Sequence, residues 1–296
     1  MNSAEMTAKI AAGQGFIAAL DQSGGSTPKA LAGYGIEAGA WSDEAGMYGL
    51  IHEMRCRIIR SAVFNGDKVL GAILFERTMD GSVDGTPVPA ALIAKGIVPF
   101  IKIDKGLEDE ASGVQLMKPM PELDALLVRS KALGVYGTKE RSVINSADQA
   151  GIAAIVAQQF EVGHQVLGHG MMPMLEPEIN IKSATRAECD TILLAELLAA
   201  LDDMDQQVML KLSLPVVPGT YDALTSHPKV LRVVALSGGY ERPEACAELA
   251  KNKGIIASFS RALLQDLRAG MSDAEFDAAL GAAIDQIYAG STVKTA

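Results

Sequence analysis

The sequence has few cysteines, no long hydrophobic run and no recognisable leader. Its three cysteines, Cys56, Cys189 and Cys246, are odd in number and form no CxxC pair, which argues against a disulfide framework and favours a reducing compartment. No stretch of about 18 uncharged apolar residues occurs, so no membrane-spanning helix is predicted. The segment MNSAEMTAKIAAGQG has no apolar core after a basic start, so no signal peptide is expected. Together these absences predict a cytoplasmic protein.

Positive charge is scarce as well. The chain has 26 lysines and arginines against 36 aspartates and glutamates, a formal net charge of −10 at pH 7. This balance does not favour nucleic acid or an anionic membrane as a partner. An anionic small molecule stays open, because a ligand responds to the local field of its cleft. We therefore expect a small-molecule partner, no nucleic acid and no membrane, and leave open whether the chain forms a homo-oligomer.

Histidine, the commonest metal ligand, occurs only at positions 52, 164, 169 and 227. A catalytic metal site needs histidines and carboxylates clustered at ligand spacing, and no histidine lies at the end of a predicted strand. His164 and His169 are five positions apart, which does not put both on one face of a helix or strand. We interpret the histidines as surface or core residues and predict neither a metal nor another cofactor.

The 296 residues do contain a regular alternation of short apolar runs and longer helical patterns. The runs are often β-branched, as expected for strands buried on both faces. They lie at 15–21, 69–76, 98–103, 135–141, 172–178, 208–214, 233–238 and 255–260. Eight such strands alternating with helices predict an α/β fold with a parallel sheet closed into a (β/α)8 TIM barrel. A doubly wound open sheet is the alternative, but no GxGxxG follows the first strand and no Walker lysine loop occurs.

Helical spacing of apolar residues is clear in two of the intervening segments. Leucines recur with helical periodicity over 191–204, and the pattern over 272–288 begins with Ser272 and Glu275 at capping-box spacing. The glycine-rich stretch 79–96 is interpreted as a long loop within one domain. Because no low-complexity linker divides the chain, we expect a single barrel domain over residues 1–296.

Polar residues recur at the C-terminal ends of the predicted strands. They are Asp21, Glu76, Lys102, Lys139, Arg141, Glu176, Glu178, Lys211, Ser237 and Arg261. In a closed barrel these ends share one face, which is where active sites of this architecture lie. Each residue alone is readily explained as an ion pair or a solvated strand end. So many charged groups at one rim favour a binding or catalytic site.

Lys211 interrupts the apolar run VMLKLSL, although lysine is among the residues least often buried. One explanation is that its stem packs on apolar neighbours while the ammonium group reaches water or a carboxylate. The other is that burial and nearby cations lower its pKa, which makes a neutral amine available to attack a carbonyl. Lys102, Lys139 and Arg141 on neighbouring strands would supply those cations. We favour a Schiff-base nucleophile.

Glu176 and Glu178 in LEPEI are two positions apart, so in an extended strand both point to the same side. A carboxylate beside an ammonium group should ionise easily, and a second one nearby should be raised in pKa, which suits an acid/base pair. Either residue alone is equally well explained as a structural counter-ion of the lysines. Glu176, on the strand before Lys211, is the better placed proton donor for imine formation.

Two segments resemble anion sites. Ser237 and Gly238 in ALSGGY follow the seventh strand, and Arg261 follows the eighth, the two places where such barrels commonly bind phosphate. Ser23 and Ser26 in DQSGGS end the first strand and are candidates for a second phosphate. The alternatives are ordinary turns, with a hydroxyl residue of the second segment capping the following helix.

At this point the sequence resembles a known family. The motifs ALDQSGGS, LFERT, FIKIDKG, GTKERS, MLEPEI, MLKLS, LSGG and SFSRAL occur in the order found in class I fructose-bisphosphate aldolases, the metal-independent Schiff-base type. The likeness extends over about residues 13–263. It implies reversible cleavage of fructose 1,6-bisphosphate to dihydroxyacetone phosphate and glyceraldehyde 3-phosphate, in glycolysis and gluconeogenesis.

The resemblance also implies roles for individual residues. Lys211 matches the Schiff-base lysine, Glu176 the glutamate that exchanges protons during imine formation, and Glu178 the glutamate that orients this network. Asp21 matches the aspartate that helps to take the C4 hydroxyl proton, and Lys139 the lysine that stabilises charge beside it. The C1-phosphate positions are Ser237, Gly238 and Arg261, and the C6-phosphate positions are Ser23, Ser26, Lys102 and Arg141.

The chain departs from the family pattern at two points. Glu140 stands between Lys139 and Arg141 where the family usually has tryptophan, so packing near the C6 end should differ. Animal members carry a tyrosine in a mobile tail that helps proton transfer at C1, but Tyr288 lies inside the last helical pattern, so the role is not assigned to it. Alternative functions are a Schiff-base lyase for another ketose phosphate, a metal-dependent lyase, or a non-catalytic barrel.

Overall fold

The computed structural model describes residues 1–295, and Ala296 lies outside the described residues. The strands are β1 Phe16–Leu20, β2 Val69–Leu74, β3 Ser82–Val83, β4 Thr86–Pro87, β5 Val98–Lys102, β6 Val114–Gln115, β7 Gly137–Ile144, β8 Met174–Ile179, β9 Val208–Ser213, β10 Val230–Leu236 and β11 Ile255–Ala257. The helices are α1 Ser3–Ala12, α2 Ser26–Gly33, α3 Glu44–Arg60, α4 Glu76–Met79, α5 Val88–Ala94, α6 Leu123–Ala132, α7 Gln149–Gly168, α8 Arg186–Asp202, α9 Asp222–Thr225, α10 Arg242–Ala250, α11 Arg261–Leu264 and α12 Asp273–Thr292.

Parallel pairing orders the main sheet β1-β2-β5-β7-β8-β9-β10-β11. These are the eight strands that the sequence predicts, and helices lie between successive strands. The two edge strands approach each other, since Ala19 N donates to Phe259 O over 3.1 Å. The sheet is therefore a nearly closed barrel. The TIM-barrel prediction is confirmed and the open doubly wound sheet is wrong.

The prediction of a long loop over 79–96 is wrong. This stretch contains the antiparallel pair β3 and β4 and then α5, which connects β2 to β5 around the outside of the barrel. Pro89 stands in the first turn of α5, where a missing amide hydrogen costs nothing, and Val88 and Leu92 are buried. The glycines and prolines of the hairpin obscure the pattern of this short helix in the sequence. The helix is stabilised by the burial of its apolar residues and not by its intrinsic propensity.

The two helix predictions are confirmed. The 191–204 pattern lies largely within α8, and α12 begins at the predicted capping box. There Glu275 N donates to Ser272 Oγ over 3.3 Å and Ser272 N donates to Glu275 Oε2 over 2.8 Å. Among the described helices none is long and apolar enough to cross a bilayer.

Two hydrophobic cores determine where the barrel is open. One lies between the sheet and the helices, and the other fills the inside of the barrel. Helix α1 packs Met6 and Ile10 against this inner core and so covers the N-terminal ends of the strands. Lys294, near the described end of the chain, donates to Ile255 O over 2.7 Å, at the beginning of β11. The C-terminal ends of the strands are left as the accessible end.

Candidate active site

A cavity of about 980 Å³ opens at the C-terminal ends of the barrel strands. All twelve residues predicted for the site line it: Asp21, Ser23, Ser26, Lys102, Lys139, Arg141, Glu176, Glu178, Lys211, Ser237, Gly238 and Arg261. They come from the segment after β1, from β5, β7, β8 and β9, and from the segments after β10 and β11. Strand alternation accounts for this convergence, because it turns every second side chain into the barrel.

Lys211 lies in the wall of this cavity with its side chain 4% exposed. Its Nζ is 3.0 Å from Glu176 Oε1, while Lys139 Nζ is 2.8 Å from the other oxygen of the same carboxylate. Glu176 Oε2 forms this contact as an ion pair without hydrogen-bond alignment. One carboxylate from β8 therefore touches two ammonium groups from β7 and β9.

Lys139 also contacts Asp21, whose Oδ2 is 2.8 Å from its Nζ. Asp104, which sequence reasoning missed, lies 3.7 Å from the same Nζ. Lys102 Nζ is 2.6 Å from the other oxygen of Asp104 and donates to the Asp104 carbonyl over 2.8 Å. Since Asp104 follows Lys102 by two positions, the i, i+2 rule that pairs Glu176 with Glu178 could have found it.

Arg141 and Glu178 form the outer pair. Arg141 Nε donates to Glu178 Oε2, and its backbone N donates to Asp104 Oδ2 over 3.2 Å. The side chain of Arg141 is 39% exposed, so part of the guanidinium faces the cavity mouth. Burial opposes its charge, but Glu178 outweighs burial and raises the pKa of Arg141. Both glutamates of β8 thus point into the barrel, as alternation predicts.

Protonation follows from these contacts. Burial alone would raise the pKa of Asp21 and of Glu176, but the ammonium groups of Lys139 and Lys211 outweigh it and lower both. Burial would lower the pKa of Lys139, yet Asp21 and Glu176 raise it well above its usual value. At neutral pH both carboxylates are ionised and Lys139 is charged. The site combines a charged lysine, ionised carboxylates and a lysine on the cavity wall.

The positive field expected around Lys211 is offset by carboxylates. Lys102, Lys139 and Arg141 each lie against an acidic side chain, and two of those acids, Asp104 and Glu176, are almost completely buried. Three ammonium groups and three carboxylates meet at the centre: Lys102, Lys139, Lys211, Asp21, Asp104 and Glu176. Nearer the rim lies Arg261, which is exposed and has no ion pair among residues 1–295.

The segment after β10 has the backbone of an anion site. Gly238 and Gly239 have φ of +62° and +137°, which favour glycine. A Cβ on Gly239 would lie 3.4 Å from Arg261 Nη2, so the guanidinium group rests against this turn. Arg186 donates to Tyr240 OH over 3.0 Å and supports the turn from outside. The turn after β10 and Arg261, which together form the predicted C1-phosphate site, therefore meet at one corner of the cavity.

The turn after β1 is held by its own hydroxyls. Ser26 Oγ donates to Ser23 O over 2.8 Å and accepts from Ser23 N over 2.9 Å. Helix α2 begins at Ser26 itself, and its N-cap, Gly25, makes no side-chain cap, so the hydroxyl-capped helix start is wrong. Ser26 Oγ is therefore occupied within the turn rather than at a helix N-terminus.

Two sequence-selected positions lie away from the cavity. Glu76 begins α4 and binds Lys105 and Arg129, so the expectation that it faces the mouth is wrong. Glu140 is completely buried on the outer side of β7, where Thr138 Oγ1 donates to its Oε2 over 3.0 Å. Its side chain faces away from the cavity that Lys139 and Arg141 line.

The histidines lie outside the cavity. His169 Nε2 is 2.7 Å from Asp124 Oδ1, and His52 Nε2 is 3.3 Å from Cys56 Sγ one turn further along α3. Within residues 1–295 no group of three or more histidine, cysteine, aspartate or glutamate side chains is arranged to hold a metal ion.

Comparisons with known proteins agree with the arrangement. A family model described as fructose-bisphosphate aldolase class-I matches residues 3–237. A protein of Porphyromonas gingivalis named fructose-bisphosphate aldolase class 1 is 52% identical over 278 residues, which is 94% of this chain and 95% of that protein.

Solved structures share the fold at much lower identity. The fructose-bisphosphate aldolase of Plasmodium falciparum, crystallised with TRAP and a small-molecule inhibitor, has a TM-score of 0.77 at 20% identity, covering 99% of this chain and 96% of that one. An archaeal fructose 1,6-bisphosphate aldolase whose catalytic lysine carries a carbinolamine intermediate has a TM-score of 0.55 at 14% identity, covering 97% of this chain and 100% of that one.

Proposed function

The chain belongs to the class I fructose-bisphosphate aldolases, and from this membership we propose that it cleaves fructose 1,6-bisphosphate reversibly into dihydroxyacetone phosphate and glyceraldehyde 3-phosphate through an imine on Lys211. One observation carries the residue assignment. The Lys211 ammonium group lies in the wall of the cavity, 3.0 Å from a carboxylate that a second lysine also contacts.

Imine formation needs a group that moves protons at the amine. Glu176 Oε1 is the base in reach of the Lys211 ammonium proton, and the same carboxyl group is the acid in reach of the carbinolamine hydroxyl. The amine adds to C2 of the ketose, and the hydroxyl then leaves as water to give a protonated imine. Glu178 orients this network from the next inward position of β8.

Carbon–carbon cleavage needs a base at the C4 hydroxyl. Asp21 is ionised, because Lys139 and Lys211 hold its pKa down against the effect of burial, and we assign its carboxylate as the acceptor of the hydroxyl proton. The C3–C4 electron pair moves toward the imine nitrogen, the aldehyde leaves, and an enamine remains. Lys139 stabilises the charge that develops beside Asp21. Protonation at C3 and hydrolysis release the ketone; the group relaying that proton is unassigned.

The substrate phosphates are assigned to the two ends of the cavity. Ser237, Gly238 and Arg261 would bind the C1 phosphate through backbone amides and a guanidinium group. The C6 phosphate would lie among Ser23, Ser26, Lys102 and Arg141. Such a phosphate would compete with Asp104 for Lys102 and with Glu178 for Arg141.

Borohydride reduction tests the assignment. With substrate present it should fix a triose adduct on Lys211, identified by peptide mapping and absent from Lys211→Ala. Activity should be unchanged in EDTA. An adduct on another lysine would contradict the assignment.

A Schiff-base lyase for another ketose phosphate is the alternative, and the two separate anion ends argue for a bisphosphate. We expect kcat/KM for fructose 1,6-bisphosphate to exceed that for fructose 1-phosphate by at least about 100-fold, because a charged pocket left empty forfeits several kcal/mol. Arg141→Met should narrow this ratio by raising KM for the bisphosphate alone. Equal use of both sugars would favour the alternative.

We further propose that residues 1–296 form one domain, because α1 and α12 at the two ends both pack on the barrel. A cytoplasmic location is supported by three cysteines that are buried and free.

A further inference from the structure

Arg55 of α3 is the largest completely buried side chain of the described protein. Among residues 1–295 no carboxylate lies within 4.0 Å of its guanidinium group, and its Nε has no hydrogen-bond partner. Taking a cation out of water without a counter-ion costs several kcal/mol. Burial accordingly lowers the pKa of Arg55 to about 10, and the charge of Asp21 is the strongest influence that opposes this. The buried charge calls for a reason beyond packing.

The hydrogen bonds of Arg55 all reach the ends of barrel strands. Nη2 donates to Gln22 O over 2.5 Å and to Gln22 Oε1 over 3.2 Å, and Nη1 donates to Thr78 Oγ1 over 2.7 Å. Gln22 Nε2 in turn donates to Ser260 Oγ over 2.6 Å. Arg55 thus connects the residues that follow β1 and β2 and, through Gln22, a residue that follows β11. These hydrogen bonds cross the junction between β1 and β11, where the barrel closes.

Gln22 is the residue directly after Asp21, and Gly24 and Gly25 follow it within three positions. Gly24 has φ of +51°, so the chain beyond Gln22 is intrinsically free to turn. The hydrogen bonds of Arg55 to Gln22 and Thr78, called the clamp below, fix the backbone directly after Asp21. They therefore determine the direction in which the Asp21 side chain points. Resting on the proposed function, we propose that Arg55 is a positioning residue that aims the Asp21 carboxylate at the C4 hydroxyl for carbon–carbon cleavage.

The proposal separates two halves of the reaction. Imine formation uses Lys211 and Glu176, on β9 and β8, which Arg55 does not contact. Cleavage uses Asp21, whose direction depends on the clamp. A displacement of about 1 Å at a reacting group costs on the order of 100-fold in rate. Loss of Arg55 should slow cleavage and leave imine formation intact.

The matched control is Arg232 of β10. It is also largely buried, donates to the main-chain carbonyls of Ala11 and Gly13 over 2.7 and 3.4 Å, and has an unpartnered Nε. Burial lowers its pKa as it does that of Arg55. It lies at the covered end of the barrel beside α1, so Arg232→Gln removes a comparable cation without touching the cavity.

The experiment compares wild type, Arg55→Gln and Arg232→Gln in two assays. The first gives kcat and KM for cleavage of fructose 1,6-bisphosphate, and the second the rate of borohydride trapping of dihydroxyacetone phosphate on Lys211. We expect Arg55→Gln to lose about 100-fold in kcat, with KM and trapping within about threefold of wild type. Arg232→Gln should match wild type in both assays.

Equal loss of trapping and cleavage in Arg55→Gln would assign Arg55 a structural role and overturn the proposal, as would an unchanged kcat. Should Arg55→Gln fail to fold, Thr78→Val removes one anchor of the clamp and Thr78→Ser retains the hydroxyl. The first should lower kcat several-fold with normal trapping, and the second should restore it; an unchanged Thr78→Val overturns the proposal. Absence of any Lys211 adduct in wild type would instead contradict the proposed function.

Discussion

Asp104 binds two lysines at the centre of the cavity, although no sequence motif singled it out. Burial would raise its pKa, but Lys139 and Lys102 outweigh burial and lower it. Its side chain is 5% exposed, and its charge balances two lysines that are themselves mostly removed from water. This makes Asp104 a structural counter-ion of residues assigned to substrate.

Replacing Asp104 by asparagine should leave the charges of Lys102 and Lys139 without this counter-ion. Removal of one partner from a buried ion pair typically costs about 3–5 kcal/mol, because the remaining charge stays buried without compensation. We expect a loss of this size in the unfolding free energy of Asp104→Asn, measured by urea titration at pH 7. The control is Asp285→Asn, which breaks the exposed pair with Lys68 and should lower the unfolding free energy far less. Similar losses in both variants would contradict the counter-ion role.

Whether a site residue can be predicted from the sequence depends on how near to it along the chain the features that mark it lie. Lys211 and Glu176 are recognisable because a charge in an apolar strand is conspicuous within a few positions. Arg55 and Gln22 were missed because their contact joins α3 to the end of β1, 33 positions apart, and no local pattern marks it. Glu76 was misjudged because a strand end does not fix on which side of the strand the next residue points.

At the scale of elements, the turn after β10 does its work through backbone conformation. Gly238 has φ of +62° in a segment assigned to phosphate, and Gly85 has φ of +79° in the hairpin between β3 and β4. A Cβ on Gly238 would meet its neighbours at 3.5 Å or more, and one on Gly85 would meet nothing within 4 Å. In both turns the left-handed backbone is therefore the main obstacle to a side chain.

Gly238→Ala and Gly85→Ala should consequently differ in function and not in stability. A left-handed alanine costs about 1–2 kcal/mol, which each variant should lose in unfolding free energy. Relief of this strain in Gly238→Ala would move the amides away from the phosphate, so we expect KM for fructose 1,6-bisphosphate to rise about tenfold. Steady-state kinetics should show Gly85→Ala unchanged. A normal KM in Gly238→Ala would remove this turn from the phosphate site.

A helix or strand can be predicted from the sequence where its apolar pattern is clear, and it escapes prediction where that pattern is short. The eight barrel strands and α12 follow from apolar runs and a capping box. Helix α5 has seven residues and follows a hairpin rich in glycine and proline, so the sequence of this segment is typical of a loop. Its stability comes from packing on the barrel, and that contact is absent from any local window.

The whole molecule has one covered and one open end, and this asymmetry concentrates its buried charge. The buried charges that line the cavity lie at the C-terminal ends of the strands, while apolar side chains fill the opposite end. Glu140 is one of the buried charged groups elsewhere, a carboxyl group between β7 and α7; Asp190 of α8 and Arg242 of α10 are others. Gln159 of α7 donates to the backbone carbonyl of Glu140, and Oε1 of Glu140 has no partner among residues 1–295. Burial raises the pKa of Glu140 to about 8, so it is neutral at pH 7.

These two kinds of buried acid give stability opposite dependences on pH. Asp21, Asp104 and Glu176 have pKa values lowered by their lysines, so their contribution is present above the unfolded values near 4 and is lost as pH falls below them. Glu140 has a raised pKa, so the folded state binds its proton more tightly than the unfolded chain does. Its contribution is present below about pH 4 and is lost as pH rises toward about 8.

The unfolding free energy should therefore be greatest near about pH 5 and decline toward pH 8. Glu140→Gln keeps the shape of the side chain and cannot ionise, so the unfolding free energy should decline less from pH 5 to 8 than in wild type; Asp190, whose pKa burial also raises, still contributes to the decline. Because Glu140 faces away from the cavity, kcat should stay within about threefold of wild type. Urea titrations of both proteins at pH 3, 5, 6.5 and 8 measure the difference. Parallel curves above pH 5 would mean that Glu140 is not the buried acid whose proton the folded state retains.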